Sequence, residues 1–234
     1  MKLDGKRAVV VGGTSGIGLA TAKQLANAGV EVIAVSRSPE RAGALPMGIE
    51  ARACDARDPN ALAALFADCA PFDILVSAAT GGERAFGPFL EMDMEGYQGS
   101  FDKLWGYANV VRFGAEHLVA NGCIVLVSGY PARRSGPGLA ALSSVGGAVE
   151  ALVRSVAVEI APRRINVVSP GVIDTPMFGP DDPERRQKVD DMCGEYLIPR
   201  AGLPEEVAQA ILFLIQNDFV TGTTVDVDGG ALLS

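Results

Sequence analysis

The sequence predicts an α/β domain built on a doubly wound parallel sheet, and three observations carry this. Short, mostly apolar runs recur at residues 8–11, 30–35, 49–53, 74–77, 124–127, 165–168 and 224–227, separated by helix-length segments. Runs of that kind fit strands covered on both faces, and right-handed helical crossovers supply the cover. The first run breaks at Gly12 into a glycine-rich turn, and a helical segment follows it to Gly29. The chain has 234 residues, 48% of them apolar, and no internal repeat, low-complexity tract or linker, which fits one domain over residues 1–234 with about seven strands.

The elements follow in order. The first helix begins near Ile17 and stops at Gly29, and the strand after it ends at Ser36 and Arg37. The third strand leads to Asp55, and Pro59 marks a helix starting near Asn60. A helix beginning near Tyr97 carries Lys103, with the single histidine, His117, far along it. The fifth strand ends at Ser128-Gly129-Tyr130, and a helix beginning near Leu139 carries Gly146 and Gly147. Glycine inside a helix costs roughly 1 kcal/mol relative to alanine, so the pair predicts close approach by something large, a partner helix or a ligand. Residues 175–200 are rich in Pro, Gly and charge and interrupt the alternation; they read as a lid over the site or as a solvated loop. The last helix begins near Pro204.

The strand–turn–helix around Gly12-Gly-Thr-Ser-Gly-Ile-Gly18 has the makings of a dinucleotide site. A glycine turn opening a helix presents unpaired backbone N–H groups at the positive end of the helix dipole. Gly12 permits the turn, Gly16 lets a pyrophosphate approach, and Gly18 allows close packing of helix and strand. Thr14, Ser15 and Ile17 belong to the same cradle. An NAD site places a carboxylate roughly 20 residues beyond the glycines, on the ribose 2′-OH. Ser36 stands there instead, followed by Arg37, whose guanidinium suits a 2′-phosphate. The predicted cofactor is therefore NADP(H) rather than NAD(H). Asp55 is placed either to accept from the adenine amino group or to cap the next helix.

Composition sets further bounds. A net charge of −8 disfavours nucleic acid and anionic membranes as partners. No apolar run approaches the roughly 18–20 residues of a membrane span, and the first strand starts too early for a signal peptide. Cys54, Cys69, Cys123 and Cys193 are scattered without a CxxC pair, so no metal site is expected and a reducing, cytoplasmic compartment is.

The chain resembles the short-chain dehydrogenase/reductase family over almost its full length. The matching segments are the glycine turn, Asp55, Asp73-Ile-Leu-Val, Ile124-Val-Leu-Val-Ser, Arg164-Ile-Asn-Val-Val-Ser-Pro-Gly171 with Thr175, and Val225-Asp-Val-Asp-Gly-Gly230. The resemblance implies that Pro170, Gly171, Val172 and Thr175 hold the nicotinamide end, and that Ala78, in Ser77-Ala-Ala-Thr80, lines the cofactor. It also implies a homodimer or homotetramer acting on a small molecule.

The sequence departs from the family at Val11, where the glycine motif usually starts with threonine, at Ser77-Ala-Ala-Thr80, where Asn-Asn-Ala-Gly is usual, and above all in the proton-transfer residues. By the same match, the family's asparagine falls on Lys103, its serine on Gly129, and its Tyr-x-x-x-Lys pair on Leu142 and Gly146. Residues at i and i+4 share a helix face, which lets the family's lysine lower its tyrosine's pKa. Leucine and glycine transfer no proton. Ser143 and Ser144 do not replace the pair, because each helical residue turns about 100°. Lys103 is the first substitute: its ammonium would enter the space left by Gly146. Tyr130 is the second. Ser128 is expected, by strand alternation, to point opposite to the family's serine position at Gly129. Arg133 and Arg134 hint at an acidic substrate, and Tyr97, Tyr107 and Tyr196 are unranked.

The sequence thus predicts an NADP-dependent oxidoreductase with an atypical site. Hydride would pass to or from a small carbonyl, imine or activated alkene, with the proton from water, Lys103 or Tyr130. The alternative is a non-redox protein on the same fold: a cofactor-binding regulatory or scaffold subunit, or an enzyme of another reaction class using the pocket.

Overall fold

The computed structural model describes residues 1–80 and 82–234. Its strands are β1 (Arg7–Val11), β2 (Glu31–Ser36), β3 (Ile49–Ala53), β4 (Phe72–Ser77), β5 (Leu118–Val127), β6 (Arg164–Pro170) and β7 (Thr224–Val227). They form one seven-stranded sheet in the order β3-β2-β1-β4-β5-β6-β7, and every pairing is parallel. This is the doubly wound, Rossmann-like arrangement that the spacing predicts.

Its helices are α1 (Gly16–Asn27), α2 (Pro59–Cys69), α3 (Met94–Ser100), α4 (Asp102–Gly114), α5 (Ala140–Glu159), α6 (Pro183–Asp191) and α7 (Pro204–Gln216). Strand side chains alternate between two cores. Val9, Val11, Leu75 and Ile124 pack with Phe66 of α2, Tyr107 of α4 and Val149 of α5. Ala8, Val10, Ile74 and Val125 pack with Leu25 of α1 and Ile211 and Leu214 of α7. Arg164, buried at the start of β6, donates to the carbonyls of Leu214, Ile215 and Val220. Those acceptors include the C-terminal end of α7, where a cation is favourable.

Four details differ from the sequence reading. The helix expected from Tyr97 is two helices. Asp93 caps α3 by accepting from Glu95 and Gly96, and Ser100 Oγ donates to Gly96 O while accepting from Ala85 N. These local bonds close α3 before Asp102 opens α4. β5 starts at Leu118 rather than near Ile124, with a register shift against β4 between Phe72 and Ile74. Residues 175–200 contain α6, capped by Asp182, which accepts from Arg185 N. Only Arg185 and Val189 of α6 are buried, so no apolar period announces it. Finally, α5 has 20 residues and is apolar enough to match a membrane span by length and composition. It packs in the domain instead, against β6 and α4, and its Val149 and Val153 lie in the core.

Candidate active site

A cleft of about 840 Å³ opens at the carboxyl edge of the sheet, where the strand order reverses between β1 and β4. Ligands bind at such switch points, and the volume lies high in the roughly 300–1,000 Å³ range of ligand sites.

One end is made of backbone. The N–H groups of Gly16, Ile17 and Gly18 have no acceptor among the described residues, and Ser15 does not cap α1 with its side chain. The helix therefore presents open donors and its positive dipole end to the cleft. Gly12 sits at φ +81°, and a Cβ there would lie 2.7 Å from Ala79 N. Gly18 is tighter: a Cβ would lie 2.0 Å from Gly12 O. Gly18 does not line the cleft, so among the expected cofactor contacts it is a packing residue, fixing α1 against the turn. Thr14, Ser15, Gly16, Ile17, Ala78, Pro170, Gly171, Val172 and Thr175 all line the cleft with Gly12.

Ser36, Arg37 and Asp55 lie at the far side of this end. Ser36 Oγ is buried without a hydrogen-bond partner among the described residues, and Arg37 is exposed beside it. Asp55 accepts from Arg57 through its backbone N–H at 2.9 Å and its guanidinium at 3.0 and 3.3 Å. These bonds hold its carboxyl below the usual range. Asp55 does not cap α2: Asp58 does, accepting from Asn60 and Ala61 at 3.0 Å each. An open N–H cradle, an orphaned hydroxyl and an arginine with no ion-pair partner among the described residues fit a phosphorylated dinucleotide.

The other end is made of side chains. Lys103, on the first turn of α4, points inward and donates to Ser128 O at 3.1 Å, with its ammonium 5.5 Å from the Tyr107 ring centroid. Burial, and then the nearby Arg84 charge, push its pKa down to about 7. The space at Gly146 that Lys103 was expected to enter is not open. A Cβ there would lie 2.9 Å from Ala132 Cβ and 3.2 Å from Ser128 Oγ. The loop after β5 fills it, so neither a partner helix nor a ligand explains that glycine. At Gly147, apart from its own helix backbone and chain neighbours, no atom of the described residues lies within 4 Å of the Cβ position. Ser128 turns its hydroxyl to Gly146 O of α5 at 3.2 Å.

Gly129 and Leu142 line the cleft and offer it no titratable group. Tyr130 also lines it, stacked edge-on to Tyr196 at 6.1 Å. Tyr196 lies in a small apolar cluster with Val172, Val189 and Cys193, where burial raises its phenol pKa. Tyr107 is buried and donates to Val127 O, and Tyr97 donates to Ser144 Oγ, so both brace the fold. His117 lies beyond α4, in a short helical turn (Ala115–His117) outside the cleft. Arg133 pairs with Glu150 and Asp226, and Arg134 donates to Ala231 O and Ser234 Oγ. Neither lines the cleft, so they say nothing about substrate charge.

The sequence reading missed Arg84. It lies in the connection after β4, half-buried on the cleft wall, with its guanidinium against the sulfur of Met177. It has no carboxylate partner among the described residues, and burial lowers its pKa. Its position at the carboxyl end of a strand beside the switch point was the available signal. Among the described residues, no cluster of three or more His, Cys, Asp or Glu could hold a metal ion.

This cleft defines the class: a nucleotide-binding α/β domain with a second, side-chain-lined compartment. The family model described as Enoyl-(Acyl carrier protein) reductase matches residues 11–231. L-xylulose reductase of Bos taurus is 35% identical over 245 residues, covering 99% of this chain and 98% of that protein. Carbonyl reductase [NADPH] 2 of Sus scrofa is 32% identical over 247 residues, covering 100% and 99%. A small-chain dehydrogenase solved in complex with NADPH superposes with a TM-score of 0.87 at 32% identity, covering 99% of this chain and 100% of that one. The chain belongs to the short-chain dehydrogenase/reductase family of oxidoreductases.

Proposed function

We propose that this protein is an NADP(H)-dependent reductase of small carbonyl compounds whose proton donor is Lys103. The observation that carries the reading is a single cleft joining the open N–H cradle of α1 to the amino group of Lys103. The names of its relatives support the oxidoreductase over the non-redox alternative. Arg37 and the orphaned Ser36 hydroxyl would hold the 2′-phosphate, and Gly12, Thr14, Ser15, Gly16 and Ile17 the pyrophosphate. Asp55 would face the adenine, while Ala78, Pro170, Gly171, Val172 and Thr175 would line the rest.

A bound reduced nicotinamide supplies the hydride. Lys103 supplies the proton to the carbonyl oxygen, because a pKa of about 7 leaves a useful fraction of ammonium at neutral pH. Leu142, Gly129 and Gly146 take no part in proton transfer, which makes the site atypical for its family. Tyr130 orients substrate from the rim. Residues 175–200 act as a lid, since Met177, Phe178, Lys188 and Met192 all reach the cleft. The proposal includes a homo-oligomer, checked by light scattering, and a reducing cytoplasmic setting, consistent with four buried free cysteines.

The test is calorimetric titration with NADPH and, separately, NADH, followed by assays of NADPH oxidation with a panel of carbonyl compounds. Trp105 is 66% exposed and outside the cleft, so its fluorescence is a poor reporter. Tight NADPH binding, weak NADH binding and turnover support the reading. NADPH binding with no hydride transfer to any acceptor removes it.

A further inference from the structure

Charge on the cleft wall runs opposite to charge on the whole chain. The protein carries −8, yet Arg84, Lys103 and Lys188 line the compartment beyond the nucleotide cradle. Among the described residues, the carboxylates lining the cleft are Asp55 and Asp102, and both are bound by Arg57, at 3.0 and 2.8 Å. Arg84 rests on a thioether, a weak acceptor, and Lys103 on one backbone carbonyl. A desolvated cation without an anion is costly, and Arg84 and Lys103 lie close enough for the charge of one to lower the pKa of the other. A bound dinucleotide does not relieve them: its phosphates belong at α1 and Arg37, and its nicotinamide end has no negative charge.

We infer that the substrate is an oxo acid, a carbonyl compound whose own carboxylate is held by Arg84 beside the carbonyl group that Lys103 faces. The guanidinium fork matches a carboxylate in two parallel hydrogen bonds, and the anion restores charge balance beside a guanidinium that has no carboxylate partner among the described residues. This inference rests on the reductase reading and adds the substrate class. In the reaction, the carbonyl carbon gains the hydride, its oxygen gains the proton from Lys103, and the nicotinamide is oxidised. The carboxylate is unchanged, so the product is a hydroxy acid. Lys188, exposed on α6 at the mouth, draws the anion in when the lid is open.

The experiment compares 2-oxobutanoate and 3-oxobutanoate with their methyl esters, on NADPH-loaded wild type, Arg84→Gln and Arg84→Lys. The wild type is expected to prefer an acid over its ester by tenfold or more in kcat/KM. R84Q should lower kcat/KM for the acid by roughly 10–100-fold, mostly through KM, and collapse the preference; R84K should restore part of it. Equal use of acid and ester by the wild type, or an unchanged ratio in R84Q, overturns the inference. Calorimetry of the same acids on the NADPH-loaded protein separates the two readings. Binding that R84Q abolishes, without turnover, keeps the anion site and removes the reductase reading. No binding of either acid removes the anion site. If R84Q does not fold, Arg84→Met, which keeps an unbranched side chain beside Met177, carries the same comparison.

Discussion

The nucleotide end of the cleft is built almost wholly from backbone, whereas the opposite end is built from side chains that meet from distant parts of the chain. At the first end, the turn from β1 to α1 supplies open N–H groups and tolerates no added atom at Gly12 or Gly18. At the second, Arg84 from the connection after β4, Lys103 from α4 and Tyr130 from the connection after β5 line the same cleft. Backbone geometry constrains sequence tightly and locally. Side-chain chemistry is freer to change, because the sheet still holds its place when one side chain replaces another.

The sharpest way to break this contrast is Gly18→Ala. The new Cβ would lie 2.0 Å from Gly12 O, and neither backbone can yield without moving α1. Urea unfolding should show a loss of about 3 kcal/mol or more, and NADPH titration should show no measurable binding. A Gly18→Ala protein with normal stability and normal NADPH affinity would mean that the cradle is not backbone-defined.

Lys103→Met tests the other end. It should lower kcat by about 10²–10³-fold, with a far smaller effect on NADPH affinity. The pH dependence carries the same information. For reduction, kcat/KM should fall as pH rises through about 7, as the ammonium is lost. The stability trend has the opposite sign. The folded pKa of about 7 lies below the ordinary lysine value of 10.5, so the unfolded chain binds the extra proton between them. Stability attributable to this group therefore rises with pH across that window, and K103M should flatten the rise. A pH–rate profile identical in K103M and wild type would assign the proton to Tyr130 or water.

Legibility in the sequence follows the same division. The glycine turn, the β2 end at Ser36-Arg37 and all seven strands were readable because each is a local pattern: an apolar run, a turn residue, a helix start. The short strands Ile49–Ala53 and Thr224–Val227 were even placed to the residue. What stayed hidden depends on contacts across the fold. Nothing near Gly146 in sequence says that Ala132 fills its side-chain space. Nothing near Arg133 says that Glu150 and Asp226 neutralise it, while Arg84 has no carboxylate partner among the described residues. α6 was missed because its cap, Asp182-Pro183, looks the same in a loop, and its charged surface carries no period.

Arg37→Ala has a smaller expected effect, confined to the nucleotide end. It should weaken NADPH by roughly 10–100-fold, the worth of charge-assisted hydrogen bonds to a phosphate, and leave NADH almost unaffected. Calorimetry with both cofactors reads the ratio directly. Equal losses for the two would place Arg37 in general electrostatics and move the discrimination elsewhere.

The smallest effect separates two adjacent glycines of α5. Each replacement by alanine gains roughly 1 kcal/mol of helix propensity. At Gly146 the gain is offset, because the new Cβ would press on Ala132 at 2.9 Å, so Gly146→Ala should be near neutral. At Gly147, apart from its own helix backbone and chain neighbours, no atom of the described residues lies within 4 Å of the Cβ position, so Gly147→Ala should stabilise the isolated chain by about 1 kcal/mol in urea unfolding. If a second copy packs its backbone on this face, the gain disappears and the variant shifts toward monomer in light scattering. The pair therefore distinguishes a glycine kept for contacts within the chain from one kept for contacts between chains.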